Sequence, residues 1–281
     1  MQTVIQLLFT ALQIGAVYIL FSLGLTLVYG VMRVVNFVHI SAFIPKVIAA
    51  GYSVGMAYFL TSLGAIAATL VLAVLVYKFA LRFFLRDMDG AFILTMGLAL
   101  FLDGVLLETF GGAVRMVPEI FGGTVTILDV KITLQRLVLC GTAVVVTAVL
   151  YWAMAATKLG KALRAVAADH EAAMLQGIPY NKLALSGFMI AAFLAAVAGA
   201  LIAPVTIVSP FMGADFLMKG FVAVIVGGLG SVQGAIVGAL LIGFVESVGG
   251  YYFDSSTATI AIFVLVIVVL LFRPKGILAN G

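Results

Sequence analysis

The chain has 281 residues, of which 65% are hydrophobic and only 9% charged; soluble domains carry roughly 25% charge. Its 15 Lys+Arg and 11 Asp+Glu are too few to cover a soluble globule of this length, which excludes a soluble enzyme, a nucleic-acid binder and a disordered chain. A transmembrane helix needs roughly 20 apolar residues, so the composition predicts one all-α domain over 1–281, a polytopic transmembrane helical bundle set in a lipid bilayer.

The predicted spans, in chain order, are about 4–31, 42–60, 63–85, 91–110, 134–156 and 183–204, then an interrupted stretch at 217–249 and a last span at 257–272. That makes about 8 spans, counting interrupted and short helices. The first apolar run is too long for a signal-peptide core and has no basic segment before it, so it is expected to be retained as a span. The 30 glycines fit helices packed closely in lipid. Cys140 is the one cysteine, so no disulfide or Cys-based metal site forms within the chain.

Basic residues set the predicted sidedness. They cluster at Lys78, Arg82 and Arg86, at Lys158, Lys161, Arg164 and Lys182, and at Arg273 and Lys275. The positive-inside rule places all three clusters, and with them the C-terminus, in the cytoplasm. The segments 111–133 and 205–216 and the N-terminus then lie outside, and Lys131 and Lys219 fall toward the outer face. On this scheme 217–249 starts and finishes outside. Gly227-Gly228-Leu229-Gly230-Ser231 divides it, and the expectation is two short helices that dip in and return around the glycine turn. A counterpart in the first half is Arg33-Val34-Val35-Asn36-Phe37-Val38-His39-Ile40-Ser41 with Pro45 beyond it. One interruption in each half suggests an inverted repeat.

Among these polar residues, Asn36, His39 and Ser41 either line a translocation path or satisfy backbone groups freed at a helix break. Gly228, Gly230, Ser231 and Gln233 are pathway candidates at the second break. For Ser231 a helix N-cap is the favoured role. Asp103 is read either as a gate or proton relay or as the partner of Arg136. Ala195 with Gly199, and Gly234 with Gly238, are small pairs four apart, suited to helix packing. No catalytic constellation, metal cluster or phosphate-binding loop is present, so the chain is predicted to be non-catalytic and without cofactor, and ATP would have to act through a partner.

The loop 157–182 is the largest charged insertion. Lys161 to Gln176 is Ala-rich with no Gly or Pro and is predicted to form one helix, stopped by Gly177 and Pro179. Leu163, Val166, Ala167, Met174 and Leu175 would give it an apolar stripe. Such a helix either docks into a partner's groove or lies on the membrane surface as a linker.

The pattern Thr157-x-x-Gly160-x-Ala162-x-Arg164-Ala165, Asp169-x-Glu171-Ala172-Ala173, Gly177-Ile178 resembles the coupling loop of ATP-binding-cassette importer permeases. Three further stretches make the chain similar to the branched-chain amino acid permease family. They are Gly24-Leu25-Thr26-Leu27-Val28-Tyr29-Gly30-Val31 with Asn36-Phe37-Val38-His39, then Gly227-Gly228-Leu229-Gly230-Ser231-Val232-Gln233-Gly234-Ala235, and Leu271-Phe272-Arg273-Pro274-Lys275-Gly276. The resemblance runs nearly the whole chain in the expected order. Ile40 stands where the family usually has a small Gly, and Pro45 and Lys46 are also unusual there.

The resemblance implies a permease subunit in a bacterial cytoplasmic membrane. Two cytoplasmic ATPases would dock on Gly160, Arg164, Asp169, Glu171, Ala172 and Gly177. A second permease subunit, homologous or identical, would complete the pathway, and an external solute-binding protein would deliver a branched-chain or other neutral amino acid. The alternatives are the same kind of importer carrying urea, a short amide or an aromatic carboxylate, and a stand-alone ion-coupled transporter.

Overall fold

The computed structural model describes residues 2–27, 44, 46–84, 88–112, 116–118, 120–127, 130–209 and 212–278. Asn36, His39, Ser41, Ile40, Pro45, Arg33 and Arg86 lie outside them. The described chain is helical apart from one antiparallel hairpin, β1 (Thr124–Ile127) and β2 (Val130–Thr133), with Thr124 opposite Thr133. Its helices are α1 (Gln2–Leu27), α2 (Val54–Phe79), α3 (Met88–Phe110), α4 (Leu134–Ala156), α5 (Lys158–Ala168), α6 (His170–Leu175), α7 (Tyr180–Ile202), α8 (Met212–Gly227), α9 (Val232–Tyr252) and α10 (Ser255–Phe272). Six of these are long and apolar enough to cross a membrane: α1, α2, α4, α7, α9 and α10. The fold is a polytopic helical bundle.

The bundle is built around α1. Every residue from Gly15 to Gly24 is buried. A helix that is apolar all round and buried all round is a central one. On one side α9 runs antiparallel to it: the Ser247 hydroxyl donates to the Leu7 carbonyl at 2.9 Å, and a Cβ on Gly243 would lie 2.8 Å from the Ala11 carbonyl oxygen. On another side the Ala191 carbonyl of α7 faces Gly24. On a third, the Ser22 hydroxyl donates to the Gly220 carbonyl of α8 at 3.1 Å. Helices approach this closely in lipid because small residues let their backbones meet.

Helix directions follow from such pairs. In α2, Tyr58 donates to the Ala200 carbonyl and Tyr77 to the Asn181 carbonyl, so α2 is antiparallel to α7, as α1 is. Hence α1 and α2 run the same way, with Leu27 at one end of the bundle and Val54 at the other. The sequence patterning placed two spans at 42–60 and 63–85. In the structure the break falls instead at Ala50–Ser53, where Gly51 has φ +93° and Ser53 N-caps α2. The apolar pattern continues across this break, so hydropathy alone misplaces it.

The same bookkeeping of direction gathers Lys78 and Arg82, the loop 157–182, and Arg273 and Lys275 at one end, called here the basic end. The three basic clusters that the sequence separated therefore share one face of the bundle. The β-hairpin, the start of α1 and the start of α8 lie at the far end.

The stretch 217–249 is a helical hairpin. Its break is at Gly228–Ser231, as expected, but its depth differs. Helix α8 has 16 residues and α9 has 21, about 24 and 31 Å long at 1.5 Å per residue. Helix α9 alone matches a hydrocarbon core about 30 Å thick. The hairpin thus runs from the far end to the basic end and back, which keeps the sidedness consistent without a turn buried at mid-membrane. The GxxxG reading of Gly234 and Gly238 agrees with the packing: added Cβ atoms would sit 2.3 Å from the Gly227 oxygen and 2.1 Å from the Ala223 oxygen.

Candidate functional site

The predicted residues at the glycine turn form a closed structure. Gly228 and Gly230 have φ +114° and +82°, conformations that an L side chain rarely adopts. Ser231 is buried and caps α9, its hydroxyl accepting from the Gly234 amide at 3.0 Å. Gln233 points outward and donates to the Tyr151 hydroxyl of α4 at 3.2 Å. The C-terminal segment seals the turn. The Ile277 and Leu278 amides donate to the Val226 and Gly227 carbonyls, each at 2.9 Å, and a Cβ on Gly276 would lie 2.5 Å from the Gly228 Cα. Those carbonyls are ones that the end of α8 would otherwise leave unpaired.

The loop after α4 is folded onto the bundle by short-range bonds. Thr157 caps α5, accepting from the Gly160 amide at 3.0 Å. Gly160 lies so close to the end of α4 that a Cβ would be 2.4 Å from the Met154 carbonyl oxygen. Arg164 donates to that same oxygen at 2.6 Å. The single helix expected over Lys161–Gln176 is divided at Asp169, whose backbone is extended and whose carboxylate accepts from the Glu171 and Ala172 amides at 3.0 Å each. The Asp side chain offers the backbone an alternative to continuing the helix. Gly177, at φ +79°, ends α6, and its amide and that of Ile178 bond back to the Met174 and Ala173 carbonyls. Ala173 is buried beneath this short helix, whereas Leu175 is 88% exposed at its tip.

The far half of the bundle holds a feature that the sequence reading did not assemble. Lys219 of α8 donates to Oε1 of Glu246 on α9, and Tyr18 of α1 donates to Oε2 of the same carboxylate. The pair is largely enclosed, with side-chain exposures of 17% and 19%. One carboxylate thus ties three helices together. Beside it is a cavity of about 330 Å³. Gln13, Tyr18, Arg136, Thr206, Asp215, Lys219 and Glu246 supply its polar wall, and Ile14, Val17, Ile202, Val205, Ile207, Met212 and Phe216 supply the rest. Phe216 stacks on Phe21 with centroids 5.6 Å apart, which fixes that wall. A second depression, of about 370 Å³, shares Ile14 and Glu246 with the first.

The sequence places Lys219 only toward the outer face. Yet two opposite charges inside apolar helices on either side of a glycine turn carry a signal. Gly227 faces Gly234 and Ala223 faces Gly238, so the next turn brings 219 level with 242, one turn from Glu246. Ionisable residues within apolar spanning helices are by default candidates for a functional site.

The family model described as branched-chain amino acid transport system / permease component matches residues 7–272. The chain belongs to this family. Over 98% of its length it is 29% identical to the high-affinity branched-chain amino acid transport system permease protein LivH of Salmonella typhimurium, 96% of which is covered. Its identity to the permease protein BraD of Pseudomonas aeruginosa is also 29%, with the same coverage. Over 37% of the chain it is 31% identical to the ribose import permease protein RbsC of Haemophilus influenzae, covering 34% of that protein. No solved structure matches. As a member of the family the chain is a permease component, and the closed glycine turn and the capped loop are the structural forms that its family-like motifs take.

Proposed function

We propose that the chain is the membrane subunit of an ATP-binding-cassette importer for branched-chain or other neutral amino acids, and forms part of the translocation pathway. The observation that carries this reading is the loop at the basic end. It is braced against α4 by Gly160 and Arg164, folded sharply at Asp169, and presents Leu175 outward. A rigid lever tipped by an exposed leucine is what a motor protein needs to grip and move. Two ATPases would engage it through α6, with Glu171 and Ala172 at its first turn and Gly177 at its end. The basic end then faces the cytoplasm of a bacterium, in keeping with the positive-inside rule, and the C-terminus lies on that side. A homologous or identical permease subunit would pair with this one in the membrane, and an external binding protein would deliver solute to the far end.

The names of LivH and BraD support the substrate class. The test is uptake of L-leucine into proteoliposomes holding this chain, its partner permease and the ATPases, with the binding protein added outside. Uptake is expected to require ATP and to be lost in Leu175→Asp. Transport by this chain alone, driven by an ion gradient, would overturn the reading.

A further inference from the structure

We propose that the turn at the end of α2, together with the start of α7, is a binding site for an anionic phospholipid of the leaflet at the basic end. The head group is held by Lys78, Arg82 and Lys182, and the acyl chains lie against Phe79 and Phe83. The inference goes beyond the importer reading and uses only the placement of this end at the surface of the bilayer.

Local structure makes the site. Helix α2 stops at Phe79 because Ala80 leaves the helical region, with φ −128° and ψ −65°. The chain then makes a single 3-10 turn, Leu81–Phe83. Leu81 anchors that turn, 6% exposed and clustered with Val76, Tyr77 and Phe188. Phe79 and Phe83 on either side of it are left 70% and 67% exposed. They stand at the end of a helix long enough to cross the bilayer, where lipid is their neighbour. The Tyr77 hydroxyl donates to the Asn181 carbonyl at 2.5 Å, which ties the end of α2 to the first turn of α7, and Lys182 is the next residue.

The cations at this place are uncommitted. Lys78, Arg82 and Lys182 are exposed, and none is paired with an acid among the described residues. The helix end does not occupy them either, because the Ala80 and Phe84 amides close the Val76 and Leu81 carbonyls. Arg164 of the loop differs, since it already donates to the Met154 carbonyl. The Arg82 guanidinium carbon lies 4.8 Å from the centre of the Phe83 ring. A cation stacked on a ring is held in place by the ring's electrostatic field, and here the ring also offers apolar surface. A free phosphate matches the charges and leaves both rings without a partner. A neutral lipid matches the rings and leaves three cations without an anion. An anionic phospholipid matches both, as anionic head groups do at basic clusters between spanning helices on the cytoplasmic side.

The experiment titrates phosphatidylglycerol onto the purified chain in a neutral detergent and reads bound lipid by native mass spectrometry. Lys78→Gln with Arg82→Gln should lower the affinity about 25-fold, about fivefold for each charge removed. Phosphatidylcholine should bind weakly to the wild type. Arg273→Gln with Lys275→Gln removes the same charge from the same end and should leave the affinity unchanged. All four side chains are exposed, so the melting temperature should hold in both double variants. Phe83→Ala should weaken binding about two- to fivefold, and Phe83→Trp should retain it, as a ring beneath a cation requires. Equal losses in the two double variants would reveal diffuse attraction to any basic residue and overturn the site. Displacement of the lipid by an equal concentration of sn-glycerol 3-phosphate would overturn it too, since the rings would then have no part. Unchanged lipid binding in Lys78→Gln with Arg82→Gln, with ATPase stimulation lost in the assembled transporter, would assign the surface to the ATPase and not to lipid. None of these results bears on leucine uptake, so the importer reading stands or falls separately.

Discussion

The two ends of the bundle use their polar groups differently. At the basic end they are paired locally and used to hold shape. Ser231 caps α9, Asp169 caps α6, Thr157 caps α5, and the amides of Ile277 and Leu278 close the end of α8. Backbones there touch through glycine, leaving no room for a side chain at Gly227 or Gly160. In the far half, charged and amide groups surround a cavity, and one buried carbonyl has no donor among the described residues. Satisfied polar groups rigidify, and in the far half it is the bonds of Lys219 and Tyr18 to Glu246 that do so.

The comparison breaks first where packing is tightest. A Cβ on Gly227 would lie 1.9 Å from the Gly234 carbonyl oxygen. The obstacle is backbone, so no rotamer change relieves it. Gly227→Ala is expected to cost at least about 3 kcal/mol, the upper end for overpacking, and to appear as loss of monodisperse protein. Gly64→Ala on α2 meets nothing within 4 Å, and should be neutral or stabilising by up to about 1 kcal/mol through helix propensity. Equal behaviour of the two would show that the hairpin is looser than its geometry.

A smaller effect is expected at the far-end ion pair. Glu246→Leu strands the Lys219 ammonium in a largely enclosed site and should destabilise by about 2–3 kcal/mol, less than for a fully buried pair. Adding Lys219→Met should restore most of that loss. The double-mutant cycle, read by thermal unfolding in a fixed detergent, separates the cost of a stranded charge from any net value of the pair. If the double variant is as unstable as the single, the pair holds the fold together.

Much of this division was legible in the sequence, and the parts that were not have physical reasons. Ser231 as a cap, the break at Gly228–Ser231 and the stop at Gly177 could be read because each depends on neighbours within a few positions. The split of the loop helix at Asp169 was missed because its Ala-rich surroundings favour continuation and a single cap had to outweigh them. The start of α2 was misplaced because hydropathy does not change across Ala50–Ser53. The cavity was invisible for a different cause. Gln13, Arg136 and Lys219 lie on three helices far apart in sequence, and only close packing along α1 brings them to one wall.

Next in size is the exposed tip of α6. Leu175→Ala removes a side chain that is 88% exposed and should change stability by no more than about 0.5 kcal/mol. If that leucine fills a pocket on the ATPase, coupling should nevertheless fall about tenfold, as for loss of roughly 1.4 kcal/mol of contact energy. The measurement is ATPase stimulation by the loaded binding protein. Unchanged stimulation would move the grip to another part of the loop.

The smallest effect tests whether local capping belongs to the basic end alone. Asp254 caps α10 at the far end, its carboxylate accepting from the Ser256 and Thr257 amides at 3.3 and 3.1 Å and from the Thr257 hydroxyl. The Thr257 hydroxyl and amide bonds hold its carboxyl below the ordinary value near 3.8, although the group is fully exposed. A depressed folded-state value means that the ionised cap adds stability at pH above the unfolded value, and that this contribution fades as pH falls from about 4 through the lower folded value. Hydrogen exchange at the first turn of α10 should therefore speed up only on acidification below pH 4, and Asp254→Asn should flatten that dependence. Asn still accepts from the backbone, so the helix itself should persist. An acid dependence that survives in Asp254→Asn would locate the titrating group elsewhere.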